Sequence, residues 1–255
     1  MATPKDLLIS ALQPDITPHD VPANLEFYSQ QIASLQTTST HLVVLPEMFA
    51  TGFEPSPEIV EEEDGPILHW MQNTAKKHGI LLCGSVAIKE AQGIFNRFYA
   101  CFPDGQLTHY DKRRLFSISR EAQLFQPGHK RVVLSFAGWR ILPQICFDLR
   151  FPELARSAND YDLLIYVASF PASRAFAWTS LLRARAIENL AYLVGVNRTG
   201  NDSKGTHYQG DSVILGPDGT ILAAANPNAA QWIETSISYE KLLRFRKRFP
   251  FLDNL

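Results

Sequence analysis

The stretch Pro143-Gln144-Ile145-Cys146-Phe147-Asp148-Leu149-Arg150-Phe151-Pro152-Glu153 constrains this chain more than any other. Residues 141–145 are an apolar run of strand length. Pro152 suits the first turn of a helix, where its missing N–H would have had no partner anyway. The spacing therefore predicts Cys146 on a tight turn between strand and helix. In α/β folds such a turn presents its side chain to the crevice at the carboxyl end of a strand. Backbone N–H groups opening the next helix can bind an anion there, so the Phe147 N–H is a candidate oxyanion donor.

Around this stretch, strand and helix patterns alternate. Strands are predicted at residues 7–12, 41–45, 80–88, 94–102 and 107–110, with Pro103-Asp104-Gly105-Gln106 as the turn into the last of these, which makes an antiparallel patch. Helices are predicted at residues 24–35, with Leu25, Tyr28, Ile32 and Leu35 near one face, and at 65–78, with Pro66 at the start and Gly79 after the end. Residues 112–129 lose all periodicity, and a loop of that length is usually functional. Residues 131–136 and 140–145 read as a hairpin through Ala137-Gly138. Beyond the Pro152 helix come a strand at 162–168, a helix at 178–190 and a strand at 191–196. A loop at 199–210, a hairpin closed by Gly216-Pro217-Asp218-Gly219 and a strand at 232–237 complete the pattern. The alternation predicts an α/β protein of mixed sheets covered by helices.

A chain of 255 residues, 45% hydrophobic, can bury roughly three quarters of its unfolded surface in one core. Neither linker nor internal repeat is visible, so residues 1–255 read as a single domain with a tail from about 239. A net charge of -2 without long single-sign blocks gives no electrostatic case for nucleic acid or an anionic membrane. The opening Met1-Ala2-Thr3-Pro4-Lys5-Asp6 leads into only six small or apolar residues before Gln13, too short for a secretory segment, which points to the cytoplasm. Cys83, Cys101 and Cys146 are an odd set without C-x-x-C spacing, and the seven histidines show no metal-ligand spacing, so neither a disulfide framework nor a metal is expected. Cys83 and Cys101 lie in apolar runs and read as small buried hydrophobes.

Three short pieces, each ending a strand-like run, carry the chemistry: Leu45-Pro46-Glu47, Tyr110-Asp111-Lys112 and Ile145-Cys146. Singly, they read as a solvated carboxylate, a basic cluster with Arg113 and Arg114, and a packing cysteine. Together, and with the extended run from Cys146 to Glu153, they closely resemble the Glu, Lys and Cys motifs of the nitrilase (carbon–nitrogen hydrolase) superfamily. The resemblance runs from the first strand to about Trp232. It implies a four-layer α-β-β-α sandwich with two mixed sheets, no cofactor, and a homodimer paired through helices.

The resemblance further implies an amidohydrolase. An amide carbonyl is poorly electrophilic and its nitrogen leaves only once protonated, so hydrolysis needs a nucleophile, a proton carrier and oxyanion donors. Cys146 is expected as nucleophile, Glu47 as the base that returns a proton to nitrogen, and Lys112 with the Phe147 N–H as oxyanion donors. Glu121 matches the family's second active-site glutamate and is expected to hold Lys112 charged. Arg150 resembles the arginine that the omega-amidase branch uses near its substrate's carboxylate, which implies terminal amides of small 2-oxo acids, such as 2-oxoglutaramate, as substrates. The chain departs from the common x-His-Leu-Phe form after the lysine, having Arg113-Arg114-Leu115-Phe116.

Rival readings are a nitrilase or N-carbamoyl hydrolase of the same superfamily, a papain-like thiol hydrolase pairing Cys146 with His109 or His129, and a non-enzymatic scaffold. Arg183, Arg185, Glu188 and Asn189 read as structural partners on one helix. Asn201-Asp202-Ser203-Lys204-Gly205 lacks the context of a phosphate loop. Arg244-Phe245-Arg246-Lys247-Arg248-Phe249 reads as a solvated C-terminal helix.

Overall fold

Strands whose side chains are apolar on both faces must be covered on both sides, and that requirement builds this fold. In the computed structural model, which describes residues 4, 6–36, 41–54 and 56–254, two sheets lie face to face with helices outside each. The first half of the chain supplies β1 (Leu7–Gln13), α1 (Val21–Ala33), β2 (His41–Val44), β3 (Glu61–Glu62), α2 (Pro66–His78), β4 (Leu81–Glu90), β5 (Gly93–Cys101), β6 (Leu107–Asp111) and the short α3 (Glu121–Leu124). The second half supplies β7 (Leu134–Phe136), β8 (Trp139–Ile145), α4 (Pro152–Ala155), β9 (Leu163–Ala168), α5 (Ala175–Asn189) and β10 (Tyr192–Asn197). It continues with β11 (Thr199–Asn201), β12 (His207–Gln209), β13 (Val213–Leu215), β14 (Ile221–Ala224), β15 (Gln231–Ile237) and α6 (Tyr239–Arg248).

One sheet has the order β15-β1-β2-β4-β5-β6, with β3 beside β4; the other has the order β14-β13-β10-β9-β8-β7. Each is mixed: β1-β2-β4 and β8-β9-β10 are parallel, and antiparallel strands flank them. The period of two sorts the side chains into layers. Leu42 and Val44 meet Ile165 and Val167 between the sheets, while Val43 and Leu45 face Tyr28 and Met71 of the helices outside. On the far side Leu164 and Tyr166 pack against Trp178 and Leu182 of α5. The result is the α-β-β-α sandwich in two mixed sheets that the resemblance implied.

Several boundaries differ from the expectation for local reasons. Helix α1 starts at Val21 rather than 24, because the Asp20 carboxylate accepts the Ala23 N–H at 3.0 Å and Pro22 fits the first turn. Helix α2 is capped from outside by Glu61, whose two oxygens accept the Ile67 and Leu68 N–H groups at 2.9 and 3.0 Å. Strand β7 is shorter than 131–136, since Arg131 turns to Asp160 at 2.7 Å and to the Leu154 carbonyl at 3.0 Å. The aperiodic segment at 112–129 contains α3, and the expected loop at 199–210 is the hairpin β11–β12. Helix α6 is not simply solvated: Leu242 is buried, and Arg246 donates to Asp162 at 2.9 Å and to the Leu190 carbonyl at 2.9 Å. Among the described residues no helix is long and apolar enough to cross a membrane. Met1, Ala2, Thr3 and Lys5, on which the reading of the chain's start partly rests, lie outside the described residues.

Candidate active site

Strand β8 ends at Ile145, and the chain passes into a 3₁₀ turn over Cys146–Arg150. At the junction Cys146 adopts φ +44°, a left-handed conformation that costs a non-glycine residue on the order of 1–3 kcal/mol unless its surroundings impose it. Asp148 imposes it. Its buried carboxylate accepts the Ile145 N–H at 3.0 Å, the Tyr110 hydroxyl at 2.8 Å and the Arg114 N–H at 2.9 Å. One side chain thus ties the turn to β6 and to the segment beyond Lys112. Burial pushes this carboxyl up to about 6 despite its donors. From α5, Arg185 donates to the Leu149 carbonyl at 2.8 Å and pairs with Glu188 at 2.9 Å, while Asn189 accepts the Ser157 N–H at 2.9 Å, so these residues hold structure as expected.

The carboxyl end of β2 delivers Glu47 and the end of β6 delivers Lys112, and both act on the Cys146 sulfur. Lys112 Nζ lies 2.9 Å from Glu47 Oε1 and 2.7 Å from Glu121 Oε1, with all three side chains fully buried. Asn96 of β5 donates to Glu47 at 2.8 Å and to Glu121 at 3.3 Å. The Ser169 N–H, just past β9, donates to Glu47 Oε2 at 2.8 Å, and the Phe116 N–H donates to Glu121 Oε2 at 2.6 Å. Lys112 is fixed from behind by Gly128, whose N–H donates to the Lys112 carbonyl at 2.8 Å. A Cβ on Gly128 would lie 2.2 Å from the Asp111 carbonyl oxygen, so only glycine permits that approach.

The electrostatics follow from this packing. Burial alone would lower the Lys112 pKa, but the carboxylates of Glu121 and Glu47 and the nearby Cys146 sulfur more than offset it, and the ammonium stays charged. Two of its three N–H donors are engaged by the two glutamates, which leaves one for a substrate oxygen. Burial, then the adjacent Glu47 charge, pushes the Cys146 thiol well above its ordinary range, and Lys112 counters only part of this. That environment favours the protonated thiol, so a reaction at this sulfur would need a base to take its proton. Burial raises Cys83 and Cys101 as well, Cys101 to about 12, but these two differ from Cys146 in being fully buried within β4 and β5 and lining no part of the cleft.

Cys146 opens into a cleft of about 320 Å³ lined also by Phe147, Arg150, Phe170, Arg174 and Tyr208. Phe147 and Arg150 thus stand at the cleft with Cys146, where the sequence put them. His109 and His129 do not; they line a separate cleft beside Arg97, which removes the papain-like alternative. Arg114, in the family's histidine position, points outward, packed 5.0 Å over Phe151 and paired with Glu153 at 3.2 Å, while its backbone N–H anchors Asp148. Sequence reasoning missed Asn96, Ser169, Arg174 and the β11–β12 hairpin, whose Asp202, Lys204 and Tyr208 face the cleft. Among the described residues no group of three or more His, Cys, Asp or Glu is arranged to hold a metal.

The model of the carbon-nitrogen hydrolase family matches residues 8–247. The chain belongs to the carbon–nitrogen hydrolase family. As a carbon–nitrogen hydrolase it is 42% identical over 246 residues to the omega-amidase YafV of Escherichia coli, covering 96% of this chain and 94% of that one. It is 29% identical to the 2-oxoglutaramate amidase of Bacillus subtilis, covering 97% and 96% of the two chains. Among solved structures it is similar to a CN-hydrolase superfamily protein of Xanthomonas campestris, with a TM-score of 0.93, 38% identity and coverage of 98% and 97%. That carbon–nitrogen hydrolase carries an arsenic adduct in its active site.

Proposed function

We propose that this carbon–nitrogen hydrolase is an omega-amidase, which removes the terminal carboxamide of small 2-oxo acid monoamides such as 2-oxoglutaramate and releases ammonia. The observation that carries the reading is the buried ammonium of Lys112, shared between Glu47 and Glu121 beside Cys146, which lines the cleft. The 42% identity to an omega-amidase supports the substrate class.

In this mechanism Glu47 takes the Cys146 proton as Sγ attacks the amide carbon. The oxyanion is held by the remaining Lys112 donor and the Phe147 N–H, each such donor contributing roughly a hundred- to a thousand-fold in rate. Glu47 passes the proton to nitrogen, the C–N bond breaks and ammonia leaves a thioester. Water then gives a proton to Glu47 and its oxygen attacks the thioester; the C–S bond breaks and the proton returns to sulfur. Glu121 touches no reacting atom and acts by holding Lys112. Ammonia release from 2-oxoglutaramate, a nitrile and an N-carbamoyl amino acid tests the assignment; preference for the nitrile or the carbamoyl compound would move the chain to another branch.

A second copy is the partner we assign to α5, on which Phe176 is 86% exposed and Ile187 46%. Sedimentation of the wild type and of Phe176→Glu checks this, with a wild-type monomer ruling it out.

A further inference from the structure

We propose that Arg174 takes the substrate's carboxylate, the task the sequence suggested for Arg150, and that Arg150 instead meets the adjacent 2-oxo oxygen; this rests on the omega-amidase reading. Four cationic side chains line the cleft. Lys112 is neutralised by Glu47 and Glu121, and Lys204 Nζ lies 3.1 Å from Glu54 Oε1. Arg150 and Arg174 have no carboxylate partner among the described residues. The cleft's one lining carboxylate, Asp202, is engaged by the Lys204 and Thr206 N–H groups and the Tyr208 hydroxyl and pairs with neither arginine, so two guanidiniums at the cleft call for an anionic ligand.

The two differ in how firmly they are held. Arg174 packs over two rings, 4.7 Å from the Phe116 centroid and 5.6 Å from that of Phe170. It also occupies the N-cap position of α5, a 15-residue helix with no side-chain cap and no acidic side chain in its first turn. Arg150 is exposed and packs over Phe170 alone, at 5.8 Å. A guanidinium fixed against aromatic faces loses little freedom on binding and keeps its N–H edge for a bidentate carboxylate. Phe170 is itself anchored, its N–H donating to Asn197 Oδ1 at 2.8 Å and its carbonyl accepting from Asn197 Nδ2 at 2.9 Å. A 2-oxo acid offers two carboxylate oxygens and one carbonyl oxygen side by side, more than one fork can engage. Two forks packed on one ring match that arrangement.

The test compares 2-oxoglutaramate, glutaramate (which lacks the 2-oxo group) and the uncharged pentanamide. Arg174→Met is expected to raise KM for both anions on the order of 30-fold relative to pentanamide, with a smaller effect on kcat, and Arg174→Lys to recover part of it. Arg150→Met is expected to raise KM for 2-oxoglutaramate more than for glutaramate. Equal losses on all three substrates in Arg174→Met, or the larger anion-selective loss in Arg150→Met, overturn the assignment. If wild type hydrolyses none of the 2-oxo acid amides, the omega-amidase reading fails on its own. Calorimetric binding of 2-oxoglutarate to Cys146→Ala, with and without Arg174→Met, then decides the anion site: tighter binding with Arg174 present supports it, and equal binding overturns it.

Discussion

The Ser169 N–H donates to Glu47 Oε2 at 2.8 Å, across 122 positions of sequence and from one sheet to the other. With Lys112 and Asn96 on the other oxygen, the carboxylate is aimed by three donors. Glu47→Gln keeps the volume, cannot take the thiol proton and has one oxygen for three donors. We expect kcat for ammonia release to fall about a thousandfold in a protein that stays folded by circular dichroism. Activity within tenfold of wild type would remove Glu47 as the base.

Glu121→Ala leaves the Lys112 ammonium with Glu47 alone and the Phe116 N–H without its acceptor. Breaking one side of a buried ion pair costs about 3–5 kcal/mol, which for a chain of this size lowers the melting temperature by roughly 10 °C. Calorimetry measures it. A melting temperature unchanged within 2 °C, on the order of 1 kcal/mol, would mean that Glu121 does not hold the lysine.

Asp148 gives a pH signature. Its folded pKa of about 6 lies above the unfolded value near 3.9, so between those values the folded state binds more protons than the unfolded state. Its contribution is thus most favourable below about pH 4, declines by about 3 kcal/mol as pH rises through 6, and is constant above. Urea unfolding of wild type against Asp148→Asn, from pH 4 to 7, is expected to show the difference narrowing as pH rises. A difference that widens with pH contradicts the burial argument.

Of the three cysteines, Cys146 alone lines the cleft, where a reagent can reach its sulfur beside the Glu47 carboxylate, while Cys83 and Cys101 are fully buried. Iodoacetamide at neutral pH should therefore label one site per folded chain, located by peptide mass spectrometry, and three after unfolding. Labelling of Cys83 at a comparable rate would contradict the packing.

Much of this was legible because strand ends were. Glu47, Lys112 and Cys146 each follow a strand-like run, which placed them at strand ends, and it was their likeness to the family's three motifs that predicted those ends to meet in one crevice. Glu121 and Arg150 were readable through motif likeness alone. Asn96 and Ser169 were not, because their roles come from which strands become neighbours across the two sheets, a long-range pairing that local pattern does not contain. Arg174 was hidden similarly: its partners Phe116 and Phe170 lie in separate segments that only the folded chain brings to one cleft. The hairpin at β11–β12 read as a loop because three-residue strands are too short to show alternation.

The Glu47 carboxylate, the base in the proposed mechanism, is also a rivet through the seam between the sheets. Any slackening of that seam, from heat, denaturant or a distant cavity, misaligns the proton carrier before the strands themselves come apart. Loss of turnover should thus run ahead of melting, and no fragment made from one half of the chain could serve as a reduced, working catalyst.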